Sequence, residues 1–139
     1  MNAQVEKIKS AFDMLPDWEE RYRFIIDLGR DLEPLADDER NEETRVRGCM
    51  SQVWMVADPV NGAATMHFRG DSDAHIVRGL IAILLLIYGD KTPQEIVATD
   101  INAIFAELQL EQHITMNRRN GLYSMVERIE RLAQQAIEG

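Results

Sequence analysis

The chain has one cysteine, three histidines and four prolines among 139 residues. A single thiol cannot form an intramolecular disulfide, which fits a reducing compartment. It also excludes an iron–sulfur cluster held by four cysteines of one chain, and a cysteine-rich structural zinc site. Positive charge is scarce too: 15 Lys and Arg stand against 24 Asp and Glu, a net charge of −9. Nucleic-acid binders draw their affinity from cations on phosphate, so that class is disfavoured. The acidic balance suits a partner with a basic patch. Long apolar runs are missing as well. The longest, Leu80 to Tyr88, is about half of the roughly 20 residues a membrane span requires. Met1 to Phe12 carries Glu6, Lys7 and Lys9 where a signal peptide would have a continuous apolar core. These absences point to a cytoplasmic protein, and the length to one domain over residues 1–139.

Apolar spacing supplies the positive signal. Val5, Ile8 and Phe12 fall on one helical face. After Pro16, Asp17 with Glu20 has the spacing of a capping box, and Trp18, Tyr22, Ile25, Ile26 and Leu28 form a stripe behind it. Gly29 is a candidate terminator, with Leu32 as the outer bound. The segment from Glu33 to Glu43 is acidic, and its spacing matches no calcium loop; a solvated loop is the reading. Val53 to Ala57 predicts a strand, and Asp58-Pro59-Val60-Asn61-Gly62 a turn. Ala64, Met66 and Phe68 alternate with Thr65, His67 and Arg69, as a half-buried strand does. An antiparallel hairpin results, extended by a short edge at Val46, with His67 on its polar face.

Gly70-Asp71-Ser72-Asp73 marks the switch from strand to helix, with Asp71 or Ser72 as the cap. The helix that follows, Ala74 to about Tyr88, is apolar nearly all round and so belongs in the middle of the core. Gly79 suits close packing there, and Gly89 a left-handed residue after the helix end. Phosphate at this helix start would meet two aspartates. Thr92-Pro93-Gln94-Glu95 and Asp100 each open a further helix. Gln112 to Gly121 is a polar connector, and Leu122 to Ala136 holds a helical period.

The stretch Arg45-Val46-Arg47-Gly48-Cys49-Met50-Ser51-Gln52-Val53-Trp54 carries the lone thiol. A glycine beside it permits a tight tip, and Arg45 and Arg47 would favour the thiolate. The plainer alternative is a small buried hydrophobe without chemistry.

Gly48-Cys49-Met50-Ser51-Gln52-Val53-Trp54 resembles the cysteine signature of the SufE family of sulfur-acceptor proteins. Gly70-Asp71-Ser72-Asp73-Ala74 with Ile76-Val77-Arg78-Gly79-Leu80-Ile81-Ala82 is similar to a second block, Arg118 with Asn120-Gly121-Leu122 to a third, and Trp18-Glu19-Glu20-Arg21-Tyr22 to the opening helix. Thr115-Met116-Asn117-Arg118 departs by carrying Met where the family pattern has Pro.

The resemblance implies an α+β fold, a small antiparallel sheet with helices packed on it, like the IscU-type scaffold. It implies that Cys49 accepts persulfide sulfur from a cysteine desulfurase of SufS or CsdA type and stimulates that enzyme. The sulfur then passes towards an iron–sulfur cluster-assembly scaffold. The pyridoxal phosphate belongs to the desulfurase; no cofactor or metal is implied on this chain. Asp73 matches a position that affects the mobility of the cysteine loop and partner binding, and Arg118 one beside the acceptor loop. Their plain alternatives are a helix-start charge interaction and a surface salt bridge. Met50, Val53 and Trp54 would wall a pocket that shields the thiol from over-oxidation. Monomer and homodimer both remain open.

Two other classes compete. An allosteric adaptor would stimulate the desulfurase without carrying sulfur. A cysteine hydrolase would need His67, His75 or His113 near Cys49 as a base, and no motif supports that.

Overall fold

The computed structural model describes residues 3–58 and 65–138. Within them, six α-helices accompany one hairpin: α1 (Ala3–Met14), α2 (Trp18–Arg30), β1 (Val53–Asp58), β2 (His67–Ser72), α3 (His75–Tyr88), α4 (Pro93–Val97), α5 (Ile101–Leu108) and α6 (Met116–Glu138). The architecture is α+β, with helices packed on a two-stranded antiparallel sheet.

Local chemistry explains most helix starts. The Asp17 carboxylate accepts from the Glu20 N–H at 2.9 Å and opens α2; of the predicted box, this half forms among the described residues. Thr92 and Glu95 complete a reciprocal box at α4, and Asp100 caps α5 through the Ala103 N–H at 3.1 Å. Such caps satisfy amides that have no partner inside the helix. Before α2, Phe12 meets Trp18 and Phe24 edge-on, with centroids 5.8 and 5.9 Å apart. Tyr22, a member of the apolar stripe in sequence, is exposed instead.

The centre of the molecule is the crossing of α2 and α3. Nearly every apolar side chain of α3 is buried, as its all-round hydrophobicity requires. Gly79 fits the close packing inferred for it: an added Cβ would lie 2.1 Å from the Ile25 carbonyl oxygen. Gly29 terminates nothing. It lies inside α2, where a Cβ would come within 2.6 Å of the Gly79 nitrogen. The two glycines bring the helix backbones together, so neither is present for chain reversal.

Four boundaries differ from the sequence reading. Strand β2 begins at His67 and runs on through Ser72, because Asp71 and Ser72 pair with Trp54 and Val53 rather than turning into the helix. Met66 makes only an isolated bridge to Lys91; Ala64 and the turn from Pro59 to Gly62 lie outside the described residues. Neither Asp71 nor Ser72 caps α3, whose N-cap is Ala74, without a side-chain cap. The Ser72 hydroxyl oxygen accepts the Ala74 N–H at 3.2 Å, and buried Asp71 binds the Arg78 guanidinium at 2.7 Å. Gly89 has φ −67°, and Asp90, at φ 59°, takes the left-handed conformation. Finally, α6 starts at Met116, within the stretch whose polarity predicts a connector, because the Thr115 hydroxyl accepts from the Arg118 N–H at 3.2 Å and caps it.

The acidic segment is less solvated than its composition implies. Leu35 is buried, and Glu39 receives Arg69, with Nη1 to Oε1 at 2.9 Å. Asp58 binds the same guanidinium. This pairing holds the Glu39 carboxyl at about 2, down from 4.5, with Arg69 the first cause and the Ala36 N–H the second.

Candidate functional site

Thr44, Arg45 and Val46 run antiparallel to the start of β1, bridged at Arg45 and Trp54, with Val46 N–H to Val53 O and Met55 N–H to Thr44 O both 2.8 Å. That bridge is the edge expected at Val46. It closes residues 47–52 into a short loop with Cys49 near its tip. From α6, the Arg128 Nη2 donates to the Glu43 and Met55 carbonyls at 3.1 and 3.3 Å and braces the loop's base.

The loop itself is held by few bonds. Gly48 has φ +87°, a left-handed conformation that a side chain resists. A Cβ there would also meet the Ser124 Oγ at 2.5 Å. The Cys49 thiol donates to the Gly121 carbonyl of α6, Sγ to O 3.6 Å. Arg118 Nη1 donates to the Ser51 Oγ at 3.1 Å. Gln52 is pinned by its own backbone: the Asp73 carboxylate accepts its N–H at 3.1 Å, and its carbonyl accepts the Ser72 hydroxyl at 2.7 Å and the Asp73 N–H at 3.3 Å.

Cys49 lines a cavity of about 300 Å³. Its apolar wall comes from Val53 of β1, Val77 and Leu80 of α3, and Leu122 and Met125 of α6. Ser51, Thr115, Asn117 and Arg118 form its polar side. Of the walls inferred from sequence, Val53 and Met50 contribute, Met50 as a rim residue that is 79% exposed. Trp54 stands outside the lining, since it alternates to the other face of β1 from Val53. The residues missed by sequence reasoning lie on α3 and α6. Gly121 and Leu122 belong to a recognisable sequence block, but nothing local ties them to a thiol 72 residues earlier.

The electrostatics overturn one expectation. Burial pushes the Cys49 thiol above its ordinary value of 9.0, and Arg45 only opposes that rise. Arg47 is turned outward into an ion pair with Glu42 at 2.7 Å, both side chains exposed. The resting site therefore holds a thiol, which is the less nucleophilic form.

Asp73 and Arg118 are thus both brought to the cysteine loop, Asp73 through two hydrogen bonds to Gln52 and Arg118 through one to Ser51. His67 and His75 are not. His67 pairs with Asp58 at 3.7 Å, at the far end of the hairpin, His75 lies exposed at the start of α3, and no histidine is among the described residues lining the cavity. The side chain of His113 lies outside the described residues. Among the described residues no group of three or more His, Cys, Asp or Glu could hold a metal ion. No helix there is long and apolar enough to cross a membrane.

Known proteins share this chain's sequence and shape. An uncharacterized SufE-like protein of Rhizobium etli is 47% identical over 136 residues, covering 95% of this chain and 90% of that one. Another from Rhizobium meliloti is 42% identical over 132 residues, covering 94% of each. The solution structure of a hypothetical protein from Thermus thermophilus superposes with a TM-score of 0.78 at 19% identity, over 98% of this chain and 97% of that one, which shows the shared fold. The family model for the SufE Fe-S metabolism associated domain matches residues 6–133. With nearly the whole chain matched, this protein belongs to the SufE family, whose domain is associated with iron–sulfur metabolism.

Proposed function

We propose that this protein is a cytoplasmic sulfur acceptor. Cys49 takes the terminal sulfur of a persulfide carried by a pyridoxal-phosphate cysteine desulfurase of SufS or CsdA type, stimulates that enzyme, and passes the sulfur to a cluster-assembly scaffold. The observation that carries the reading is the placement of the sole cysteine: it sits on a short loop, closed at its base and held at Cys49 and Ser51 by one hydrogen bond each, beside a largely apolar cavity. A nucleophile that must reach another protein's sulfur needs such a loop, and a persulfide that must survive in water needs such a cavity. The chain is a substrate and carrier in this scheme, and the desulfurase is the enzyme.

The transfer needs only thiol chemistry. The Cys49 thiolate attacks the outer sulfur of the donor persulfide, the donor's S–S bond breaks, and the donor cysteine leaves as thiolate. Because burial keeps Cys49 protonated at rest, displacement of the loop by the partner would both expose the sulfur and ease its ionisation. Asp73 and Arg118, which hold the loop through Gln52 and Ser51, are the positions that set how readily it moves.

Intact-protein mass after incubation with the desulfurase and L-cysteine, without reductant, tests this. One added sulfur on the wild type, absent from Cys49→Ser and reversed by thiol, is the expected result. Faster desulfurase turnover with no added mass, and unimpaired stimulation by Cys49→Ser, would identify an adaptor instead.

A further inference from the structure

The cavity is larger than one sulfur atom requires. Its volume of about 300 Å³ stands at the lower end of small-molecule pockets, about 300–1,000 Å³, and is roughly ten times the ~30 Å³ a water molecule occupies in the liquid. Its polar side is also uncompensated. No aspartate or glutamate is among the described residues that line it, and Arg118 has no carboxylate partner among the described residues. The guanidinium bonds to a neutral hydroxyl, that of Ser51, which leaves donors for a charge-assisted bond to an anion. Thr115 caps the 23-residue α6 and Asn117 and Arg118 lie in its first turn, where the helix dipole favours negative charge. A thiol, a cation with no carboxylate partner among the described residues and a helix start therefore face one space with an apolar floor.

We propose that this cavity binds a low-molecular-weight persulfide carrying a carboxylate, of the size of cysteine persulfide, and that Cys49 loads directly from it. The inference rests on Cys49 being a sulfur acceptor and adds a second class of donor. A protein-borne persulfide must draw the thiol out of its tethers, whereas a small one reaches Cys49 where it lies. Arg118 holds the carboxylate and the apolar floor holds the methylene. Cys49 reacts through the small thiolate fraction in equilibrium with its resting thiol and attacks the outer sulfur of R–S–SH; the Sγ–S bond forms as the donor S–S bond breaks. The leaving thiolate takes up a proton in place of the one Cys49 lost, so R–S–SH and Cys49–SH become R–SH and Cys49–S–SH with no oxidant required.

The test compares L-cysteine persulfide with cysteamine persulfide, which lacks only the carboxylate. The readout is the initial rate of one-sulfur mass gain on wild type, Cys49→Ser, Arg118→Gln and Asn117→Glu, each checked for folding by thermal melt. In the wild type, cysteine persulfide should load with saturation and, below saturation, about tenfold faster than cysteamine persulfide, the difference one hydrogen bond to a charged group supplies. Arg118→Gln should abolish the preference. Asn117→Glu, at an exposed position on the cavity lip, should reverse it by repulsion and keeps the test valid if Arg118→Gln does not fold. Equal, non-saturating rates for both donors, or a preference unchanged in Asn117→Glu, would overturn the proposal. If the desulfurase still loads Cys49 in that case, the carrier reading survives alone; if neither source adds sulfur, both fall.

Discussion

Two regions of this molecule solve opposite problems with the same residue type. Where α2 crosses α3, Gly29 and Gly79 bring two backbones so close that a methyl group would meet main-chain atoms at 2.6 and 2.1 Å. At the cysteine loop, Gly48 relieves a left-handed turn whose neighbour is the side-chain oxygen of Ser124 at 2.5 Å. Backbone cannot give way, but a serine rotamer can. The first region is therefore locked by packing, with Ile25, Gly29 and Gly79 buried at the contact. The second is held by a handful of half-exposed hydrogen bonds, the composition expected of a segment that opens at low free energy. Rigidity at the crossing fixes α3, and with it Val77 and Leu80, as a wall against which the loop can rest or part.

The largest effect should come from Gly79→Ala. Alanine favours a helix over glycine by about 1 kcal/mol, yet overpacking of this severity costs about 3 kcal/mol or more. The net expectation is a loss of about 2–3 kcal/mol in urea unfolding, with Cys49 alkylation unchanged under fully native conditions. A stable Gly79→Ala protein would mean the crossing can breathe, and the contrast with the loop would collapse. Gly48→Ala comes next. The left-handed φ costs roughly 1–2 kcal/mol, and the Ser124 contact adds to it. Gly48→Ala with Ser124→Ala should recover the steric part and leave the conformational part, a coupling that a double-mutant cycle measures. No comparable rescue should exist for Gly79→Ala, since its obstacle is a carbonyl.

Asp73→Ala sharpens the comparison from the other side. It removes the acceptor for the Gln52 N–H and should lower stability by only about 1 kcal/mol, less than either glycine variant. Its signature is chemical. The Cys49 thiol titrates above 9.0 because of burial, so iodoacetamide alkylation of wild type should have its pH midpoint above that value. Freeing the loop should raise the alkylation rate at neutral pH and draw the midpoint down towards 9.0. A midpoint unmoved by Asp73→Ala would show that the other tethers, the Gln52 carbonyl's bonds to the Ser72 hydroxyl and the residue-73 N–H together with Gly121 and Arg118, suffice to keep the thiol buried.

The legibility of this protein divides along similar lines. Caps at Asp17, Thr92 and Asp100 were readable because they act within three residues. The core helix was readable because α3 is apolar on every face. The thiol stands out because it is unique and lies in a recognisable pattern. Its electrostatics were misjudged because proximity in sequence says nothing about which way an arginine turns: Arg47 found Glu42, and burial outweighed Arg45. The cavity was only half visible, since its floor is assembled from β1, α3 and α6. Gly89 misled because glycine permits a left-handed conformation without compelling it, and Asp90 supplied the turn. The acidic segment misled because composition counted its charges and could not reveal that Arg69, on β2, would neutralise Glu39.

That pairing yields the smallest and most selective prediction. Residues 33–43 link the locked crossing to the base of the cysteine loop, and Glu39 fastens them to β2. Its folded pKa of about 2 lies below its ordinary 4.5. The ionised form is thus favoured by folding, so the stabilisation is complete above 4.5 and fades as the pH falls towards about 2. Glu39→Gln cannot titrate, whereas the remaining carboxylates titrate in both proteins and cancel in the difference. The stability gap between wild type and Glu39→Gln, measured by urea unfolding at successive pH values, should be constant above the upper limit and shrink through that window. Glu39 is half-exposed, so the gap should also narrow in high salt. A gap that stays flat with pH would mean that Leu35 and Arg40, which binds the Leu35 carbonyl at 2.6 Å, hold the segment without Glu39. The link between the rigid crossing and the cysteine loop would then rest on Leu35 burial and the Arg40 bonds, and would not depend on Glu39 ionisation.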